Sequence, residues 1–144
     1  MLTLEKDWTV REPEALVNGA TLRGLTSTSL LEEAKTLNPD CGTAFDRAIR
    51  RGELVRGLVF PVGTGAEAPR LILLVVTRVD HLVVPTREDL VLAVENLRAF
   101  LLRELLRTVA VGAFAEGRPK EEVLRVLQEA LGDLETEVVV KARG

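Results

Sequence analysis

LILLVVTRVDHLVVPTREDLVLAVENLRAFLLRELLRTVAVGAF, residues 71–114, reads as strand, turn, helix and strand, and that order decides the fold class. Leu71 to Val79 is apolar without alternation, the pattern of a central strand covered on both faces. Pro85 breaks the chain, and Thr86 stands before Glu88 and Asp89. Leu90, Val94, Leu97, Leu101 and Leu105 then recur at helical spacing. Thr108 to Phe114 returns to a strand. Strands alternating with helices build a layered α/β domain around a mostly parallel sheet.

Working outward, Pro119 opens a helix with Val123, Leu124, Val126, Leu127, Ala130 and Leu131 as its apolar positions. Gly132 stops it, and Glu137 to Lys141 makes the last strand. Upstream, Leu58 to Val62 is a strand joined to 71–79 by a turn from Gly63 to Pro69. Gly63-Thr64-Gly65 has only the look of a phosphate loop, because no helix start follows it. Asn38 and Pro39 serve as N-cap and first residue of a helix reaching Arg50 and Arg51, with Gly52 as its stop. Ser29 with Glu32 fits a capping box for a short helix. ALVN at 15–18 is a short strand, and Leu2 to Val10 alternates, with Leu2, Leu4, Trp8 and Val10 on one side.

The expected architecture is a three-layer α/β/α sandwich with a mixed, mostly parallel sheet, as a single domain over residues 1–144. Ligands of such sheets sit beyond the C-terminal strand ends. Three loops therefore matter, 18–29, 77–86 and 112–118. The first belongs to EALVNGATLRGLTSTSLLEEA, 14–34, where a strand passes through a Gly/Ser/Thr-rich loop toward a helix start, the arrangement of an anion or nucleotide site.

Composition removes several classes of function. Cys41 is the only cysteine and His81 the only histidine, so a disulfide within the chain and a Cys/His zinc site are excluded, and no metal or cofactor is expected. Net charge is −3 with basic residues spread along the chain, which is no footprint for nucleic acid. No apolar run approaches the roughly 18 residues of a membrane span, and the start MLTLEKDWTV has no signal core, so a cytoplasmic location is expected. Glu12, Glu14, Glu32 and Glu33 form no paired-carboxylate pattern, and Glu88 and Asp89 against Arg103 and Arg107 simply match a helix dipole. Cys41 near a helix start reads as a small filler, and His81 beside Asp80 as a turn or as an acid/base pair. Trp8 and most of the four phenylalanines read as core; Phe114, in the third loop, is the ring best placed for a ligand.

Four segments together resemble a macrodomain, and within that family the DNA ADP-ribosyl glycohydrolase branch that serves as antitoxin to DNA-modifying toxins. ALVN matches the start of the branch's LVN-x-x-N strand and loop. NPDCGTAFDRAIRRGELVRGLVFPVGTG, 38–65, follows its pattern of a Pro, an aromatic, a charged helix, then G-E, G and a strand. LILLVVTRVDH, 71–81, stands where the branch has a strand ending in Pro-Thr-Lys. Helix 87–107 with TVAVGAF matches its long helix and the strand carrying a second glycine loop.

The resemblance implies binding of ADP-ribose or a related nucleotide, and hydrolysis of ADP-ribose from bases of single-stranded DNA. By that correspondence Asn18 keeps the first Asn of the motif, Thr21 replaces the second, and Gly24 alone survives from the glycine-rich loop. Ser27, Thr28 and Ser29 stand where glycines approach a diphosphate, and a side chain there hinders backbone contact while offering hydroxyl donors. Arg78 replaces the lysine implicated in catalysis, and Gly112 to Arg118 is a shortened second loop containing Phe114 and Glu116. Arginine holds charge but stays protonated, so it is a poor titrating acid or base.

The leading expectation is a divergent, non-catalytic macrodomain, with Asn18, Thr21, Gly24, Ser27, Thr28, Ser29, Gly112 and Phe114 as ligand contacts. The enzymatic alternative is an ADP-ribosyl hydrolase in which Arg78 holds substrate while Asp80 or His81 moves protons. The third is a protein-interaction domain whose old cleft is filled by Leu25, Phe114 and neighbours.

Overall fold

β4, Leu71–Arg78, is buried along its length from Ile72 to Arg78, and the rest of the molecule is organised around it. The structure is a computed structural model that describes residues 2–5, 13–23, 41–65, 69–80, 82–112, 114–115 and 117–141. In chain order these form β1 (Leu2–Glu5), β2 (Ala15–Thr21), α1 (Cys41–Arg50), β3 (Val59–Gly63), β4, α2 (Arg87–Glu104), β5 (Thr108–Val111), α3 (Lys120–Leu131) and β6 (Glu137–Lys141). The strands make one sheet in the order β1-β6-β5-β2-β4-β3. All neighbours are parallel except β3 and β4, which pair antiparallel from Val59↔Val75 to Gly63↔Leu71.

Strand alternation sorts the apolar side chains into two cores, one on each face of the sheet. Ala15 and Val17, Leu73 and Val75, Val109 and Val111, and Val138 and Val140 pack with α2 and α3. Leu16 and Ala20, with Ile72, Leu74, Val76 and Ala110, pack instead with Phe45 of α1. Phe45 meets Phe60 edge-on, with ring centroids 5.6 Å apart. The result is the expected three-layer α/β/α sandwich, with α1 below the sheet and α2 and α3 above it. Because both faces are covered, β2 and β4 are apolar on both faces along most of their length, which is why neither alternates in sequence; the polar exceptions, Asn18, Thr21, Thr77 and Arg78, fall in their C-terminal parts.

The helix ends follow local chemistry. Thr86 accepts from the Asp89 N–H, and Asp89 accepts from the Thr86 N–H, a reciprocal cap at the start of α2. Its stripe Leu90, Val94, Leu97 and Leu101 is buried as expected, but Leu105 is 81% exposed. Leu105 is the left-handed cap that ends α2 (φ 53°), so it leaves the helical face and Leu106 turns inward in its place. Gly52, at φ +66°, ends the region of α1 as its sequence position suggests. The capping box expected at Ser29 and Glu32, and the alternation expected to Val10, fall outside the described residues beyond Glu5.

Candidate functional site at the C-terminal ends of the central strands

Two strand lengths differ from the sequence reading, and together they shape the site. β2 runs to Thr21 rather than ending at Asn18, and β5 stops at Val111 rather than Phe114. The Asn-Gly pair of β2 has the composition of a turn, but every residue from Ala15 to Thr21 is buried between layers, and tertiary burial overrides the local preference. β2 and β5 pair only from Ala15↔Val109 to Val17↔Val111, and the Gly112 N–H then donates to the Val17 carbonyl. Past that point Asn18 to Thr21 continue alongside β4. A step therefore opens in the sheet where β2 outruns β5.

That step lies at a topological switch point. The chain leaving β2 goes to one side of the sheet, toward β3 and β4, while the chain leaving β5 goes to the other, toward β6. Connections that diverge from adjacent parallel strands leave a crevice at their carboxyl ends, where ligands of open α/β sheets bind.

Asn18 alternates with Leu16 and Ala20, so its side chain lies on the α1 side, and it is 1% exposed. Its Nδ2 donates to the Gly19 carbonyl at 2.9 Å. Gly19 is two residues beyond Val17, so its carbonyl is aimed at the edge β5 has vacated. The carboxamide thus satisfies a backbone acceptor where the sheet steps down. Thr21, also buried, accepts from the Arg23 N–H at 3.1 Å.

The register between β2 and β4 shifts beside Thr21. Ala20 pairs with Val76 and Thr21 with Arg78, which leaves Thr77 as an extra residue. Bulges of this kind re-aim side chains at the rims of sites. Arg78, 7% exposed, donates to the Val83 carbonyl at 3.4 Å and so reaches the turn that follows its own strand. In that turn Asp80 Oδ1 accepts from the Leu82 N–H at 2.8 Å, an Asx turn, while Oδ2 lies 3.6 Å from Arg23.

The loop after β5 closes the other side. Phe114 and Ala115 are buried, and Phe114 belongs to the core packed with α2 and α3. Ala115 holds φ +51° and Gly117 φ +97°. A Cβ at Gly117 would lie 3.1 Å from both methyls of Val84, so the turn after β4 rests against the loop after β5 and glycine allows the approach. Arg118 Nη2 donates to both carboxylate oxygens of Glu122, each at 2.7 Å, pinning the loop to α3.

The structure brings Asn18, Thr21, Arg78, Asp80 and Gly112 to one end of the sheet, with the buried Phe114 behind them. Gly24, Leu25, Ser27, Thr28, Ser29, His81 and Glu116 lie outside the described residues. Among the described residues no group of His, Cys, Asp and Glu is arranged to hold a metal, and no helix is long and apolar enough to cross a membrane. Arg23 and the Val84–Gly117 contact escaped the sequence reading. An exposed arginine after a strand carries no pattern of its own, and the Val84 contact joins two separate loops.

Comparison with solved structures gives a likeness over nearly the whole chain. The macrodomain of Thermus aquaticus DarG matches with a TM-score of 0.83 at 29% identity, covering 97% of both chains. The macrodomain of Mycobacterium tuberculosis DarG matches with a TM-score of 0.87 at 25% identity, over 97% of this chain and 96% of that one. By fold the chain is a macrodomain.

A Trypanosoma brucei macrodomain in complex with ADP-ribose shares the fold at a TM-score of 0.66 and 15% identity, over 96% of this chain and 62% of that one. No protein-family model and no curated protein matches the sequence. The macrodomain likeness agrees with the sequence resemblance in fold, and the two DarG macrodomains are among the solved structures that share it. Within this fold Thr21 and Arg78 are register partners on neighbouring strands.

Proposed function

We propose that this macrodomain is an ADP-ribose-binding module whose crevice has lost glycohydrolase chemistry. The observation that carries the reading is the step beside β2, with buried Asn18 lining a switch point in a fold that a macrodomain in complex with ADP-ribose shares. Loss of catalysis is argued from Arg78. A guanidinium remains protonated throughout the working range and cannot relay a proton, and this one is buried and bonded to the Val83 carbonyl. Asp80, the other described candidate for proton transfer, has one oxygen engaged by the Leu82 N–H and the other facing Arg23.

The second reading, a working ADP-ribosyl hydrolase, draws on the near-complete overlap with the DarG macrodomains. Calorimetry separates binding from its absence, and an assay for release of ADP-ribose from modified single-stranded DNA separates the two readings. Binding of ADP-ribose in the micromolar range, stronger than of ADP or AMP and lost in Asn18→Ala, supports the first. Turnover that disappears in Arg78→Ala would replace it with the second. If wild type ignores millimolar ADP-ribose, the crevice does not take this ligand and a protein partner becomes the better explanation.

A further inference from the structure

At the crevice the backbone of Arg23 is fixed while its charge is held loosely. Its N–H donates back to Thr21 Oγ1 within its own strand end, and the preceding Leu22 N–H donates to the Arg78 carbonyl, so one bond fixes the turn and the other ties the end of β2 to the end of β4. Its guanidinium is 73% exposed and 3.6 Å from Asp80 Oδ2. That separation exceeds the roughly 2.7–2.9 Å of a charge-assisted hydrogen bond. Exposed pairs of this kind contribute little to stability, so little is lost in breaking one. Asp80 is held more firmly, because its Oδ1 accepts from the Leu82 N–H at 2.8 Å.

We infer that Arg23 is a displaceable anion ligand, parked on Asp80 when the crevice is empty and transferred to a phosphate of the bound nucleotide when it is filled. The step rests on the proposed ADP-ribose binding. A guanidinium is a planar fork matched to two phosphate oxygens, and a dianionic diphosphate outcompetes one carboxylate at longer range. Asp80 acts as the competitor: its charge both holds Arg23 back and repels the ligand. Binding affinity is therefore set in part by a pair of residues just past the ends of β2 and β4.

The test is titration calorimetry of the full chain with ADP-ribose for wild type, Arg23→Gln and Asp80→Asn, repeated at two salt concentrations. Asparagine keeps an oxygen for the Leu82 N–H and removes only the charge, so Asp80→Asn should tighten binding by about two- to fivefold. Arg23→Gln should weaken it by roughly three- to tenfold and flatten its salt dependence. Because Arg23 is largely exposed, that variant stays folded and remains decisive if Asp80→Asn unfolds. Wild-type binding with Arg23→Gln unchanged, or with a folded Asp80→Asn unchanged or weaker, overturns the inference alone. No binding by wild type overturns both the inference and the function it rests on.

Discussion

Changing Glu14 to glutamine probes how the sheet is gathered at the end opposite the crevice. The Glu14 backbone binds both neighbours of β2: its N–H donates to the Thr108 carbonyl and hydroxyl, and its carbonyl accepts from Arg70. The carboxylate repeats the bridge, accepting from the Arg107 N–H at 3.0 Å and from Arg70 Nε at 2.8 Å. The Arg107 N–H is the main reason the carboxyl titrates below its ordinary value, opposed by partial burial and helped by Arg70. A hydrogen bond to a charged group contributes about 1.5–3 kcal/mol, and the Arg70 pair, with Arg70 42% exposed, adds at most about 1 kcal/mol. Glutamine keeps one acceptor and turns an NH₂ toward the other donor, so a loss of about 2 kcal/mol at pH 7 is expected, or roughly 5–8 °C in Tm.

The sign of the pH dependence follows from the lowered pKa. The unfolded chain takes up the Glu14 proton near 4.5, the folded chain only at lower pH, so the contribution is complete above 4.5 and is lost as pH falls through the folded value. Urea denaturation of both proteins at pH 7 and pH 3 measures it. The stability gap should narrow in acid. Equal stability at pH 7, or a gap of the same size at both pH values, would refute the account.

Leu97→Ala removes a side chain with no exposure from the middle of α2 and should cost about 3 kcal/mol, read as a lower urea midpoint with an unchanged m-value. Gly117→Ala combines a φ of +97° with a Cβ 3.1 Å from the Val84 methyls, and should lose about 1–2 kcal/mol together with ADP-ribose affinity. Adding Val84→Ala to Gly117→Ala should return only the part due to crowding, since the dihedral strain stays; full recovery in a melting series would show that the dihedral is not the constraint.

The helices and most strands were legible because each depends on neighbours in sequence. The stripe from Leu90 to Leu101 and Thr86 before Asp89 each specify a local geometry that the fold then uses. The misreadings fell in two places, one decided by burial from distant elements and one by where a helix is capped. Asn18-Gly19 became strand because α1 and β4 cover it, and Leu105 left its stripe because the cap ends the helix there. The family likeness was visible for a related reason: the order and spacing of ALVN, the 38–65 span and LILLVVTR persist even where loop residues changed.

By itself the sequence determined the class of fold and the layering, and pointed to the end of the sheet where the candidate site lies, since hydrophobic period and strand-helix order are properties of the chain taken in line. Only the tertiary structure decided the shape of the site. The step at Val17, the extra residue at Thr77, the reach of Arg78 to Val83 and the pairing of Arg23 with Asp80 all depend on where one strand stops relative to another. Those relations join residues as far apart in the chain as Val17 and Gly112, and no local pattern encodes the register between them.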